Sequence, residues 1–170
     1  ASISPSRWRP GLNFSALVLT KDEERQIEGC LRSLERAAAI VVVDSGSTDR
    51  TLDIISSLPR AWIVSRPFVS FADQRNFGLT CFRGGEWVFH LDADERLTPQ
   101  RGAELGDLEP PQSGVAYNVA SRTFLGVRPV LRATGYPVYQ TRLTRAGAFE
   151  FESVGHGQKA PARFGSLPRL

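Results

Sequence analysis

The sequence predicts an α/β protein built on a doubly wound, mostly parallel sheet, followed by a smaller antiparallel portion. Three observations carry this. Over residues 14–98 short apolar runs alternate with amphipathic stretches, the pattern of parallel strands joined by crossover helices. One run, "IVVVD" (Ile40–Asp44), is β-branched without polar alternation, as a strand covered on both faces requires. Beyond Thr98 the runs alternate partially and lose their intervening helices, which reads as antiparallel pairing.

Each element has its own signal. Residues 1–13 read as a flexible basic arm interrupted by Pro5, Pro10 and Gly11. "FSALVLT" (Phe14–Thr20) is a short apolar strand. Asp22 is placed to cap a helix whose Ile27, Cys30, Leu31 and Leu34 form one apolar stripe. After Asp44, Gly46 permits a tight turn, and Ser47 or Asp49 can cap a helix that carries Leu52, Ile55 and Leu58 on one face. "AWIVS" (Ala61–Ser65) is a third strand. "SFADQRNFGLTCF" is a third helix with Ala72, Leu79 and Phe82 inward, and "EWVFHL" is a fourth strand. Thr98 followed by Pro99 opens a short helix reaching Leu108. "VAYNVASRTFLG" and "YPVYQTRLTRAG" read as strands, "FEFESVGHGQK" is less regular, and the tail "APARFGSLPRL" shows no clear element.

The totals exclude several classes. The 170 residues suit one domain with a core of its own, and 41% hydrophobic with 23% charged residues is an ordinary globular composition. A net charge of +3 is too small to imply nucleic acid, which is not expected as a partner. No apolar run has membrane-span length. Cys30 and Cys81 read as buried free thiols, and two Cys with two His give no thiolate zinc site. A chain without Met reads as a fragment, or as one with its start trimmed.

Polar clusters follow three of the four strands: "TKDEE", "DSGSTD" and "DADE". Ligands of open parallel sheets bind beyond the carboxyl ends of the strands, so the three clusters define one crevice. Asp92 and Asp94 repel in a dry site unless a cation offsets them, and a hard divalent cation bridging phosphates fits. Asp44, at the tip of an apolar strand, can accept hydrogen bonds from a base or ribose. Arg75, in "DQRN", can offset phosphate charge, and Asn76 can orient the loop acids. A solvated helix face is the plainer reading of both. His156, between two glycines, is a candidate nitrogen ligand to the same metal, against the commoner structural role of a lone His. No GxGxxG, P-loop or GxSxG motif is present, so phosphate is held through a metal rather than a Gly-rich cradle.

The ordered set "LVLTKDEE", "IVVVDSGSTDRT", "DQRNFGL" and "WVFHLDADE" resembles glycosyltransferase family 2, with its GT-A fold and DXD motif. The later "YPVYQTRLTRAG" with "VGHG" is similar to the acceptor side of members that extend lipopolysaccharide core in bacteria. The resemblance implies an inverting, metal-dependent enzyme of hexosyltransferase type. It would move a sugar from a nucleotide diphosphate donor, commonly a UDP-sugar, to a hydroxyl of a glycan or lipid-linked acceptor. By the same resemblance Thr20 and Glu23 or Glu24 line the nucleoside pocket, and Asp44 contacts the base. Asp92 lies near ribose and metal. Asp94 ligates the Mg²⁺ or Mn²⁺ that stabilises the departing diphosphate.

A carboxylate, for which Glu152 is the candidate, accepts the acceptor proton. The family's Asn before the helix Glu is replaced in "KDEE", so Glu23 and Glu24 both stand. The chain ends soon after His156, where relatives continue, which keeps a truncated or non-catalytic nucleotide-sugar-binding module as the alternative. A phosphatase with DxD after its first strand fits poorly, because here the motif follows the fourth. The expected division is a domain over 14–158, with a donor half (14–98) and an acceptor half (99–158), then a tail (159–170). The expected location is cytoplasmic, or at the inner face of the membrane. The Arg-bearing arm and tail are read as solvated, with contact to an anionic lipid surface as the other reading.

Overall fold

The structure is a computed structural model, and it describes residues 11–125, 128–130, 137–155 and 157–170. Four strand–helix units come first: β1 (Phe14–Thr20), α1 (Ile27–Ser33), β2 (Ile40–Asp44), α2 (Thr51–Ser56), β3 (Ala61–Ser65), α3 (Phe71–Leu79), β4 (Trp87–Asp92) and α4 (Pro99–Asp107). Then come β5 (Ala116–Ser121), β6 (Phe124–Leu125), β7 (Arg128–Pro129), β8 (Val138–Arg145), β9 (Glu152–Val154), β10 (Gly157–Lys159) and a 3₁₀ turn at Ala162–Phe164. Six strands form one sheet in the order β3-β2-β1-β4-β8-β5. The first four are mutually parallel, and β8 and β5 extend the sheet antiparallel. The fold class read from the sequence is therefore the observed one.

Two apolar layers flank the sheet. Alternate residues of β1 divide between them: Phe14, Ala16 and Val18 pack with Ile27, Cys30, Leu31 and Leu34 of the α1 region, while Leu17 and Leu19 pack with Ala72 and Leu79 of α3. Every residue of β1 and β2 is buried, as their unbroken apolar runs require. α3 comes close to β1 at Gly78, where a Cβ would lie 2.4 Å from Leu17 Cδ1. Thr98 caps α4 through Oγ1, which accepts from the Arg101 amide at 3.2 Å, with Pro99 at the first helical position.

Several local expectations are corrected. Asp22 does not cap α1, whose N-terminal residue Gln26 has no side-chain cap. Neither Ser47 nor Asp49 is the N-cap residue of α2, a position held by Arg50. Cys81 is exposed, because α3 ends at Leu79 and leaves it in the following turn; only Cys30 is buried. The tail read as lacking an element docks on β5: the Asn118 amide donates to the Pro168 carbonyl, the Leu170 amide donates to the Asn118 carbonyl, and Leu167 is buried. No helix among the described residues is long and apolar enough to cross a membrane.

Candidate active site

The order in which the chain adds strands reverses at β1. β2 and β3 lie on one side of it and β4 on the other, so the topological switch point falls between β1 and β4. Register places Thr20 beside Asp44 and Leu19 beside Asp92. The carboxyl ends of three strands thus bring their polar clusters to one rim, as the sequence predicted.

The loops after β1 and β2 are laced together. Asp22 Oδ1 accepts from the Thr48 amide at 2.7 Å, and the Asp22 amide donates to Ser47 Oγ at 2.9 Å. Asp49 Oδ1 accepts from the Thr51 amide, and its Oδ2 accepts from the Glu24 amide at 3.0 Å. The Glu23 amide donates to Thr51 Oγ1, and the Glu24 carboxylate accepts from the Arg50 amide. Asp22 thus holds the neighbouring loop in place of its own helix, while Asp49 serves both, its Oδ1 on the first amide of α2 and its Oδ2 on the loop after β1. These bonds hold Asp22 and Asp49 below the usual carboxylate range, for Asp22 chiefly through the Thr48 amide. Asp44 is 2% exposed and accepts from the Gly46 amide at 2.9 Å and from the Ser47 amide and hydroxyl. It braces the turn after β2, where the sequence reading had it contact the base of the nucleotide. Thr20 Oγ1 is buried and finds no hydrogen-bond partner among the described residues.

The acids after β4 separate sharply. Asp92 Oδ1 accepts from Arg75 Nη2 at 2.7 Å, and Arg142 Nη1 lies 3.5 Å from Oδ2. Glu95 accepts from the Asp92 amide at 2.9 Å and from Arg142 Nη2 at 2.5 Å. Burial pushes the Glu95 carboxyl above its ordinary value against the pull of Arg142, and burial brings Arg75 down to about 10. Arg75 therefore stays charged at neutral pH. Its contact in the structure is a carboxylate of the protein, where the sequence reading had it offset phosphate.

Asp94 is exposed at the rim. The Glu23 carboxyl is raised by burial and then by the charge of Asp94, which lies near enough to act on it. Glu24, by contrast, is occupied at the Arg50 amide.

The other candidates are scattered. Asn76 does not touch the loop acids; its amide brackets Phe151, donating to the carbonyl at 2.9 Å and accepting from the amide at 2.7 Å. Glu152 is exposed at the start of the β9–β10 hairpin, opposite Lys159. His156 lies outside the described residues. Arg142 is the residue that the sequence reading missed. It reaches Asp92 because β8 pairs with β4, a long-range pairing that leaves no local signal.

Among the described residues no three His, Cys, Asp or Glu side chains converge as a closed metal cage. Asp94 with Glu23 still suits a Mg²⁺-like ion, which is held through one or two carboxylates and completed by substrate phosphates and water. Asp92, already matched by two arginines, is the poorer ligand.

A mostly parallel sheet opening at its switch point onto a rim of carboxylates and turn hydroxyls is an α/β arrangement of the GT-A type. The chain belongs to the glycosyl transferase family 2, whose family model matches residues 15–107. The family resemblance of the four motifs is thereby met.

It is 37% identical over 122 residues to the lipopolysaccharide core biosynthesis glycosyltransferase LpsC of Rhizobium meliloti, covering 68% of this chain and 44% of that protein. It is 36% identical over 93 residues to an uncharacterized glycosyltransferase of Rickettsia bellii, covering 54% of this chain and 31% of that one. The chain thus spans less than half the length of these relatives. Glucosyl-3-phosphoglycerate synthase from Mycobacterium tuberculosis, in complex with UDP, aligns with TM-score 0.50 at 21% identity over 72% of this chain and 52% of its own. A 4-diphosphocytidyl-2C-methyl-D-erythritol synthase aligns with TM-score 0.59 at 12% identity over 93% and 88%. At these identities the structural likeness speaks of fold alone.

Proposed function

We propose that this chain is the nucleotide-sugar-handling part of an inverting glycosyltransferase. It moves a sugar from a UDP-sugar to a hydroxyl of a glycan or lipid-linked acceptor such as lipopolysaccharide core. The single observation that carries this is the division of labour among the acids. Asp92 is tied down by arginines, while Asp94 is exposed at the switch-point rim with Glu23 near enough to feel its charge, open to a cation and a diphosphate.

Thr20 and Asp44 line the nucleoside side. The buried, unpartnered Thr20 hydroxyl is a ready contact for base or ribose. Asp94, with Glu23, holds Mg²⁺ or Mn²⁺. When bound, that ion supplies positive charge against the departing diphosphate. Arg75 and Arg142 fix Asp92 so that the turn carrying Asp94 keeps its place. Glu152 is the candidate to take the proton of the attacking hydroxyl, and inversion follows from in-line displacement. Residues 14–98 serve the donor and 99–158 the acceptor. The LpsC relative supports a glycan acceptor, and the UDP complex of a protein sharing the fold supports uridine. The enzyme works in the cytoplasm, at the inner face of the membrane where its acceptor is lipid-linked.

The test is a thermal-shift screen of nucleoside diphosphates with and without Mn²⁺. A uridine-selective, metal-dependent rise in Tm that Asp94→Ala abolishes supports the reading. Full-strength binding by Asp94→Ala would overturn the assignment of the acid pair. Metal-dependent UDP binding without donor hydrolysis or transfer would favour a binding module over an enzyme.

A further inference from the structure

A cavity of about 510 Å³ opens beside Asp92, and its size is that of a small-ligand pocket. Thr20, Glu23, Asp44 and Asp94 do not line it, so it adjoins the nucleoside rim and shares only Asp92 with those site acids. Its wall is cationic: Arg75, Arg142 and Lys159 face it with Asp92 as the carboxylate among its lining residues. Two of these cations are buried, with side chains 1% and 6% exposed.

Their hydrogen-bonding capacity is only partly used. Arg75 spends Nη2 on Asp92, and Arg142 spends Nη2 on Glu95 and Gln140. Arg75 Nε, Arg75 Nη1 and Arg142 Nη1 are buried and find no hydrogen-bond partner among the described residues. An unmatched buried donor is costly, so the two on Arg75, with Arg142 Nη1 held only by the ion pair to Asp92 Oδ2 at 3.5 Å, call for an acceptor. Guanidinium groups only donate, so the occupant of the cavity must accept. A planar or tetrahedral oxyanion matches the fork of an arginine, and a metal cation is repelled by such a wall. Tyr139, with Arg169 stacked 4.6 Å over its ring, adds an aromatic surface beside the charges. A ring-bearing anion fits both features.

We propose that this cavity binds an acidic sugar, one carrying a carboxylate or a phosphate, as the recognition element of the acceptor. The assignment deepens the glycosyltransferase reading and rests on it for the word acceptor. Arg75 and Arg142 take the oxyanion, Lys159 closes the mouth with a third positive charge, and the aromatic surface takes the sugar ring. Such a pocket discriminates strongly, because a neutral sugar leaves the buried guanidinium donors unpaired.

Ligand-observed NMR titrations of the full chain with glucuronate, glucose 6-phosphate, glucose and inorganic phosphate test this. At least one sugar anion should bind about tenfold more tightly than glucose, and the stronger of the two identifies carboxylate or phosphate as the group read. Lys159→Gln removes an exposed charge and leaves the fold intact, and it should cut that preference to below about threefold. Arg142→Gln should do the same. Equal binding of glucose and both anions overturns the proposal, as does a preference that survives Lys159→Gln. Inorganic phosphate binding as tightly as glucose 6-phosphate overturns the sugar part. UDP titrated into the same samples separates the two readings. Intact UDP binding without anion preference removes this inference alone, whereas anion preference without UDP binding supports the cavity and removes the donor assignment.

Discussion

Arg75 and Asp92 meet across 2.7 Å, the guanidinium 1% exposed and the carboxylate 35% exposed. The pair joins α3 to the end of β4 beneath the rim where Asp94 lies. Breaking a buried pair from one side leaves the other charge uncompensated, at about 3–5 kcal/mol. Here Asp92 keeps some water and a second partner in Arg142, so Arg75→Met should cost about 3 kcal/mol, at the low end of that range. Urea unfolding of the two proteins checks it. A loss below 1 kcal/mol would mean that Arg142 alone suffices.

Asp94→Ala should behave in the opposite way. Its side chain is exposed, and substitutions at such sites usually shift stability by less than about 0.5 kcal/mol. Metal-dependent UDP binding should nevertheless disappear. The two acids of one motif are thus separable by experiment, Asp92 through the stability effect of its partner and Asp94 through ligand binding.

The turn after β2 yields a clean backbone test. Gly46 has φ +90°, and a Cβ built there meets nothing within 4 Å. Gly46→Ala therefore pays only the left-handed conformational cost, about 1–2 kcal/mol. Asp44→Ala should cost more, about 2–3 kcal/mol, because it removes the buried carboxylate that accepts from the Gly46 amide and from the Ser47 amide and hydroxyl. Thermal unfolding ranks the two, and the reverse order would show that the turn does not depend on the carboxylate.

What could be read in the sequence follows from where each interaction is encoded. The strands and their order of use were legible because β1, β2 and β4 carry their burial in consecutive residues. The family followed from four motifs, three at the ends of those strands and one in α3. Side-chain partners were not legible. Asp22 looked like a helix cap, but its partner Thr48 is 26 residues away, and a loop partner won over the local one. Asp92 looked like a metal ligand because its sequence neighbours are acids, whereas its spatial neighbours are Arg75 and Arg142, brought in by α3 and β8. Glu23 and Glu24 were indistinguishable as letters, and only the position of the Arg50 amide separates them.

Glu23 supplies the pH dependence. Burial, with the Asp94 charge next, raises its carboxyl above the ordinary 4.5, so the folded protein holds that proton more readily than the unfolded chain does. Its contribution to stability is thus greatest below the ordinary value and is lost as pH rises through the folded one. At neutral pH the Glu23 charge opposes folding, and Glu23→Gln should leave the protein slightly more stable. Cation binding has the reverse sign, because it requires the deprotonated acid. Metal-dependent UDP binding should therefore weaken on acidification at a pH above 4.5, and the Gln variant should bind metal and UDP more weakly at neutral pH, with that acidic step removed. Glu24→Gln, whose side chain keeps an oxygen for the Arg50 amide, should leave both the affinity and the profile unchanged. Titration calorimetry across pH 4 to 8 on the three proteins reads all of this, and an unchanged acidic step in Glu23→Gln would move the metal-facing role to another acid.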